Sequence, residues 1–115
     1  MARSTKTISD GLRWAIYHRD GFSCVYCGDS IAAGARLSLD HVRAFAQCGG
    51  SSPANLVTAC LSCNAAKGKR SLAGWLVYLA VKGVATAGIE ARIDELTRRP
   101  IDLAEGSKIA ALLAA

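Results

Sequence analysis

Apolar residues near the N-terminus recur at the spacing of a helix. Ile8, Leu12 and Ile16 lie three to four residues apart, which places them on one helical face. Ser9 or Asp10 is well placed to cap the first turn, because both side chains accept hydrogen bonds from free backbone N–H groups. The pattern therefore predicts an N-terminal helix with one apolar face.

The middle of the chain has a different period, typical of short strands. In residues 36–42, RLSLDHV, two leucines alternate with polar neighbours, and residues 56–59, LVTA, are apolar and partly β-branched. Residues 46–55 between them are rich in Gly, Ser, Pro and Asn, which predicts a loop. We expect two antiparallel strands, followed by a helix from about residues 60–64 to Arg70.

The C-terminal part reads as helical. Two apolar stripes occur at helical spacing: Leu72, Leu76 and Leu79, and then Ile89, Ile93 and Leu96. Residues 106–115 are predicted to form a terminal turn or a last helix, with Ser107 as the candidate cap. We expect these helices to pack on the core; a homodimer or partner-binding surface is the alternative.

Length and composition fit one globular domain, residues 1–115, with a motif core at about 20–70 and a helical extension at about 71–115. The chain has 115 residues, 51% of them hydrophobic, and a net charge of +5. The charge is compatible with a polyanionic partner. No apolar segment is long enough to span a bilayer and no secretory signal is visible, so we expect no membrane partner and a cytoplasmic location, in a bacterial or phage-infected cell.

Four of the five cysteines form two Cys-x-x-Cys pairs, Cys24–Cys27 and Cys60–Cys63. In a reducing compartment such pairs are typical of metal ligands, and four thiolates make a closed tetrahedral site that suits structural Zn²⁺. Unligated thiols and an iron site are the alternatives. Cys48 belongs to neither pair and is given no role.

Asp40 and His41 lie at the end of the first predicted strand, and Asn64 directly follows the second cysteine pair. A lone Asp-His is typical of a solvated strand end. Here the zinc would hold the last helix of the unit against the first cysteine pair, which brings Asn64 and Lys67 close to His41. Asp40 and His41 can share a site only if the strand ends or bends there, since neighbours in a regular strand point to opposite faces.

The ordered motifs C-x-x-C-G, L-D-H-V, G-G, N-L and C-x-x-C-N-x-x-K-G, over roughly residues 20–70, resemble the HNH nuclease family, in the branch with a structural zinc. The resemblance implies an α+β fold: a small ββα-metal core stapled by the four-cysteine zinc site, with an N-terminal helix and additional C-terminal helices. It also implies a metal-dependent DNA endonuclease with one catalytic divalent ion.

The resemblance assigns roles by position. His41 matches the general base, and Asp40 matches a ligand of the catalytic ion. Asn55 matches the central asparagine, which holds the loop bearing the histidine. Asn64 stands where the last histidine of the family name would be, as the second metal ligand, and its amide oxygen suits Mg²⁺ or Mn²⁺ better than Zn²⁺.

The implied partner is DNA in double-stranded form, cleaved to 5′-phosphate ends by nicking or by double-strand cleavage. Candidate contacts to the DNA backbone are Lys67, Arg43, Lys69 and Arg70. Taken singly, Arg43, Lys69 and Arg70 are more typical of solvated surface charges, and Lys67 is at least as typical of one. Two other classes compete with the nuclease: a noncatalytic zinc-stabilised nucleic-acid-binding module and a zinc-stapled protein-interaction domain. The joint presence of Asp40, His41 and Asn55 favours the nuclease.

Overall fold

The computed structural model of the protein describes residues 8–43 and 51–114. Within these ranges, a two-stranded antiparallel sheet is combined with five α-helices, which confirms the predicted α+β class. The elements are α1 (Asp10–Arg19), β1 (Leu37–His41), β2 (Leu56–Cys60), α2 (Leu61–Lys67), α3 (Leu72–Val81), α4 (Ile89–Arg98) and α5 (Leu103–Ala114). Two single-turn 3-10 helices, Ile31–Ala33 and Pro53–Asn55, complete the connections.

The sheet leads directly into the helix that follows it. β1 and β2 pair from Leu37 opposite Cys60 to His41 opposite Leu56. β2 is buried along its whole length, and α1, α2 and α4 all pack against it. Cys60 ends β2 and also caps α2, because its sulfur accepts a hydrogen bond from the Cys63 N–H. The sheet and α2 therefore form the predicted ββα unit.

The N-terminal helix begins as its sequence predicts and then packs on the end of the chain. Ser9 is the cap, and its hydroxyl accepts a hydrogen bond of 3.1 Å from the Leu12 N–H. α1 makes its most extensive helix contact with α5. Gly106 on α5 allows this close approach, because a Cβ there would overlap the Gly11 carbonyl oxygen and Ala15.

The main hydrophobic core lies between the sheet, the first cysteine pair and helices α3 and α4. Its largest fully buried side chain is Trp75, and the stripe of α4 formed by Ile89, Ile93 and Leu96 is buried as predicted. The α3 stripe is less regular: Leu79 is buried, whereas Leu72 and Leu76 are only partly buried. The helices thus pack on the core, with Trp75 in a central position that the leucine pattern did not indicate.

The predicted start of the last helix is wrong. α5 begins at Leu103, because the Asp102 carboxylate accepts a hydrogen bond from the Glu105 N–H and its backbone carbonyl accepts one from Gly106. Ser107 consequently lies inside the helix and is not its cap. Cys48 lies outside the described residues, as does the first half of the predicted loop 46–55, at residues 46–50. Across the described ranges, no helix has both the length and the apolarity needed to cross a bilayer.

Candidate functional site

The four paired cysteines converge on one point. The sulfur atoms of Cys24, Cys27, Cys60 and Cys63 all lie within 4.8 Å of one another, and those of Cys27 and Cys60 are 3.8 Å apart. A regular tetrahedron with Zn–S bonds of about 2.3 Å has sulfur atoms about 3.8 Å apart. The donor set and its spacing therefore fit Zn²⁺, as the sequence predicts.

The electrostatics of the cluster also favour a cation. Burial raises the pKa of Cys63, and the neighbouring thiolates raise it further. Burial likewise raises the pKa of Cys27 to about 11. Several thiolates at this distance repel one another, so a divalent ion among them would supply the compensating positive charge.

Both cysteine pairs are held by β2. The Val25 N–H, inside the first pair, donates a 2.9 Å hydrogen bond to the Thr58 carbonyl of the strand, and Cys60 of the second pair is its last residue. The chain turns at Gly28, directly after the first pair, with a φ of 84° that residues with a side chain rarely adopt. One strand thus fixes both halves of the cluster.

Asp40 is a buried carboxylate with two close partners. Its Oδ2 accepts a 2.5 Å hydrogen bond from the hydroxyl of Tyr26, and its Oδ1 lies 3.3 Å from the Nζ of Lys67. All three residues are at least nine-tenths buried. The negative charge of Asp40 is therefore compensated from inside the protein, on one side by a phenol and on the other by an ammonium group.

His41 is the last residue of β1, and the chain bends immediately after it. Its Nε2 lies 3.0 Å from the hydroxyl of Ser51. Burial lowers the pKa of His41, the carboxylate of Asp40 raises it, and the charge of Lys67 lowers it, with a net decrease from the ordinary value. The imidazole is consequently neutral near pH 7 and able to accept a proton.

Asn55 joins the segment after His41 to the start of β2. Its Oδ1 accepts a 2.9 Å hydrogen bond from the Arg43 N–H, and its Nδ2 donates a 3.1 Å bond to the Arg43 carbonyl. The Asn55 carbonyl also accepts a hydrogen bond from the Val42 N–H. A single buried side chain thus fixes both backbone groups of a residue two positions beyond His41.

Asn64 and Lys67 contact β1 from the same face of α2, as their i, i+3 spacing predicts. Asn64 Nδ2 donates to the Ser38 hydroxyl at 2.8 Å and to the Leu39 carbonyl at 3.1 Å. Because a carbonyl oxygen only accepts, these bonds identify the amide nitrogen and place Oδ1 at the other end of the amide group. Lys67 Nζ donates to the His41 carbonyl at 3.2 Å.

An open cavity of about 760 Å³ lies at the end of β1. Asp40, His41 and Asn64 are all among its lining residues. Its basic lining residues are Arg43, Lys67, Lys69 and Arg70, and α4 contributes the acidic residues Glu90 and Asp94.

The four basic residues differ in exposure. Arg43, Lys69 and Arg70 are exposed, and the guanidinium of Arg70 lies 4.3 Å from the ring centre of Tyr78. Lys67 is only 5% exposed. For Lys67 the expectation of a solvated surface lysine is therefore wrong, because its ammonium group is ion-paired with Asp40.

Several residues that contact the candidate site were not predicted. Tyr26 and Ser51 bond Asp40 and His41 directly, and Arg19 forms a buried 2.7 Å ion pair with Asp20. Arg19 also donates to the carbonyls of Pro53 and Leu56, on either side of Asn55. The HRD sequence at residues 18–20 carries no sign of this long-range role, since a charged pair at a helix end is ordinarily solvent-exposed.

Comparison with known proteins gives one family match, and it lies over the candidate site. Residues 24–70 match the family model described as HNH endonuclease. Among solved structures, the chain is similar to the Type II-C Cas9 enzyme from Actinomyces naeslundii, with 23% identity and a TM-score of 0.48. That match covers 85% of this chain and 11% of the Cas9 chain. No curated protein matches the chain significantly.

The matched segment contains both cysteine pairs, the Asp-His dipeptide, and the two asparagines that contact β1 and its continuation. It also covers β1, β2 and α2 completely. The similarity to the HNH endonuclease family therefore covers the part of the chain that carries the candidate site.

Proposed function

We propose that the protein is a metal-dependent endonuclease that hydrolyses phosphodiester bonds in double-stranded DNA. The observation that carries this proposal is the shared cavity lined by Asp40, His41 and Asn64, with Asn55 bonded to the segment after His41. A proton acceptor beside hard oxygen donors is the arrangement that metal-assisted hydrolysis requires.

Asp40 and Asn64 are the proposed ligands of a catalytic Mg²⁺ or Mn²⁺ ion. Carboxylate and amide oxygens are the donors that these ions prefer. When bound, the ion would stabilise the negative charge that develops on the leaving oxygen. The ammonium group of Lys67 already lies 3.3 Å from the carboxylate of Asp40. A bound ion and Lys67 would therefore share this carboxylate.

His41 is the proposed general base. Its neutral imidazole would accept a proton from the water that attacks phosphorus, and the bond to the 3′ oxygen would break. The products would be a 5′-phosphate and a 3′-hydroxyl. Asn55 would act on His41 through the backbone, by holding the segment that follows it.

The exposed residues Arg43, Lys69 and Arg70 are the proposed contacts to the phosphate backbone of the DNA. They line the same cavity as the proposed base, so a bound strand would pass over it. Lys67 is proposed to meet the scissile phosphate from within the site. Such contacts are largely independent of sequence. We further propose that residues 1–115 act as one domain in the cytoplasm; a homodimer through the C-terminal helices stays a prediction.

The test is incubation of supercoiled plasmid with zinc-loaded protein and Mg²⁺ or Mn²⁺, followed by mapping of the cut ends. We expect nicked or linear plasmid with 5′-phosphate ends, and a loss of at least about 100-fold for His41→Ala, the contribution typical of a general base. His18→Ala is the matched control, because His18 is an exposed histidine on α1. Equal cleavage by wild type and His41→Ala, or none by either with any divalent metal, would contradict the proposal.

A noncatalytic zinc-stabilised module that binds nucleic acid is the second candidate. The ion pair between Asp40 and Lys67 favours this candidate, since it completes the charge balance of the site with protein groups alone. DNA binding without cleavage, unaffected by Asp40→Asn, would support this module.

A further inference from the structure

Tyr26 connects the zinc cluster to the candidate catalytic carboxylate. It lies between Cys24 and Cys27, and its backbone N–H is 3.4 Å from the Cys24 sulfur. Its hydroxyl, at the other end of the side chain, donates the 2.5 Å hydrogen bond to Asp40 Oδ2. One residue thus contacts both sites, although 14 positions separate it from Asp40.

The ring of Tyr26 is fixed between these two ends. Trp75 of α3 meets it edge to face, with ring centres 5.5 Å apart and an angle of 83°. Tyr26 is 4% exposed and Trp75 is 1% exposed. Packing therefore determines where the hydroxyl group lies, since a tyrosine ring held at its backbone and on its face has little remaining freedom.

The direction of the hydrogen bond is also fixed. The hydroxyl of Tyr26 is the donor, because an ionised carboxylate offers only acceptor atoms. A carboxylate held at one oxygen presents the other in a defined direction. Here the second oxygen, Oδ1, is the one that meets the positive charge of Lys67.

We propose that Tyr26 is a positioning residue that holds Asp40 Oδ2, so that Oδ1 is the oxygen offered to a divalent cation. The proposal rests on the proposed function, in which Asp40 is a metal ligand. It gives the first cysteine pair a second role, because the turn that holds zinc also carries the side chain that orients the catalytic carboxylate. Hydrogen-bond partners of metal ligands typically change metal affinity by about 10- to 100-fold when they are removed.

Tyr26→Phe tests this directly, because it removes the hydroxyl and keeps the ring that packs on Trp75. Zinc-loaded protein without DNA is titrated with Mn²⁺, and free Mn²⁺ is measured by electron paramagnetic resonance. We expect the Mn²⁺ dissociation constant to rise by about 10-fold or more, with zinc content and melting temperature close to those of wild type. Tyr78→Phe is the matched control, because Tyr78 stacks on the same tryptophan with ring centres 5.5 Å apart.

The outcomes separate the positioning role from the metal site itself. If Asp40→Asn weakens Mn²⁺ binding and Tyr26→Phe does not, the positioning role is wrong and the metal site stands. Loss of zinc from Tyr26→Phe would make Tyr26 structural and would also overturn the proposal. If Asp40→Asn binds Mn²⁺ as wild type does, the proposed catalytic site itself fails.

Discussion

Hydrogen bonds within the protein hold the side chains of both Asp40 and Asn64 in place. The carboxylate of Asp40 is bonded by Tyr26 and Lys67, and the amide nitrogen of Asn64 is bonded to β1. Each side chain is therefore oriented before any ligand arrives. Orientation of this kind reduces the entropic cost of binding an ion or a phosphate, because the side chains are already ordered.

Asn64→His introduces the residue that the family name implies at this position. We expect metal preference to move from Mg²⁺ and Mn²⁺ towards Zn²⁺, Ni²⁺ and Co²⁺, because imidazole nitrogen suits these ions better than an amide oxygen does. The measurement is plasmid cleavage across a series of divalent metals. Asn64→Ala is the control, and unchanged metal preference in Asn64→His would argue against direct coordination by residue 64.

At the scale of elements, the extensive pairing of α1 with α5 includes a very close approach of the two backbones. α5 carries exposed leucines at its end, so its attachment relies on the side that faces α1. Gly106 is buried there, against Gly11 and Ala15. This pairing lies outside the segment matched to the family. It packs the N-terminal helix against the C-terminal helix.

Gly106→Ala should destabilise this helix pair. The added methyl group would overlap the backbone of α1, and overpacking of this kind typically costs about 1–3 kcal/mol. Thermal unfolding followed by circular dichroism measures the effect. Leu113→Ala on the same helix is the control, because its exposed side chain should change stability by less than about 0.5 kcal/mol. Equal melting temperatures for both variants would contradict the packing argument.

At the scale of the whole molecule, the four-cysteine cluster joins distant parts of the chain. Cys24 and Cys27 follow α1, whereas Cys60 and Cys63 lie at the junction of β2 and α2. The core contains Cys24 and Cys60 beside Trp75 and the α4 stripe. Zinc at this point would stabilise the fold as a whole, and with it the alignment of β1 and α2.

Cys60→Ser should lose zinc and folded structure together, since a structural zinc site contributes its binding energy to folding. His41→Ala should keep both. Zinc content by mass spectrometry and thermal unfolding measure the two effects. A Cys60→Ser protein that stays folded with full zinc content would show that the cluster is not the structural site.

In the proposed function, DNA binding would be sensitive to salt, because basic side chains that contact phosphates release counterions. Replacing Arg43, Lys69 and Arg70 by glutamine should reduce the slope of log affinity against log salt by about one for each phosphate contact that is lost. Fluorescence anisotropy with a labelled duplex measures this slope. Arg92→Gln is the control, because Arg92 is exposed on α4 and is not among the residues that line the cavity. The same slope in all variants would place the DNA elsewhere.

The sequence by itself determined the local elements and the metal donors. Periodicity indicated α1, the first strand and the buried stripe of α4, since such signals depend on neighbours a few residues apart. The doubled Cys-x-x-Cys pattern specified four thiolate donors, because its spacing is a property of the chain. The Asp-His dipeptide and the two asparagines were visible in the sequence, and their order produced the resemblance to the HNH family.

Only the tertiary structure decided how these residues meet. The contacts of Asp40 with Tyr26 and Lys67 cross 14 and 27 positions, and those of Arg19 with the backbone around Asn55 cross 34 and 37. Tertiary packing brings such partners together: Trp75 packs against Tyr26, and α2 carries Lys67. Burial converts Lys67 from an expected surface charge into an ion pair, because a buried ammonium group requires a nearby anion. No local sequence pattern indicates that two residues so far apart in the chain will be in contact.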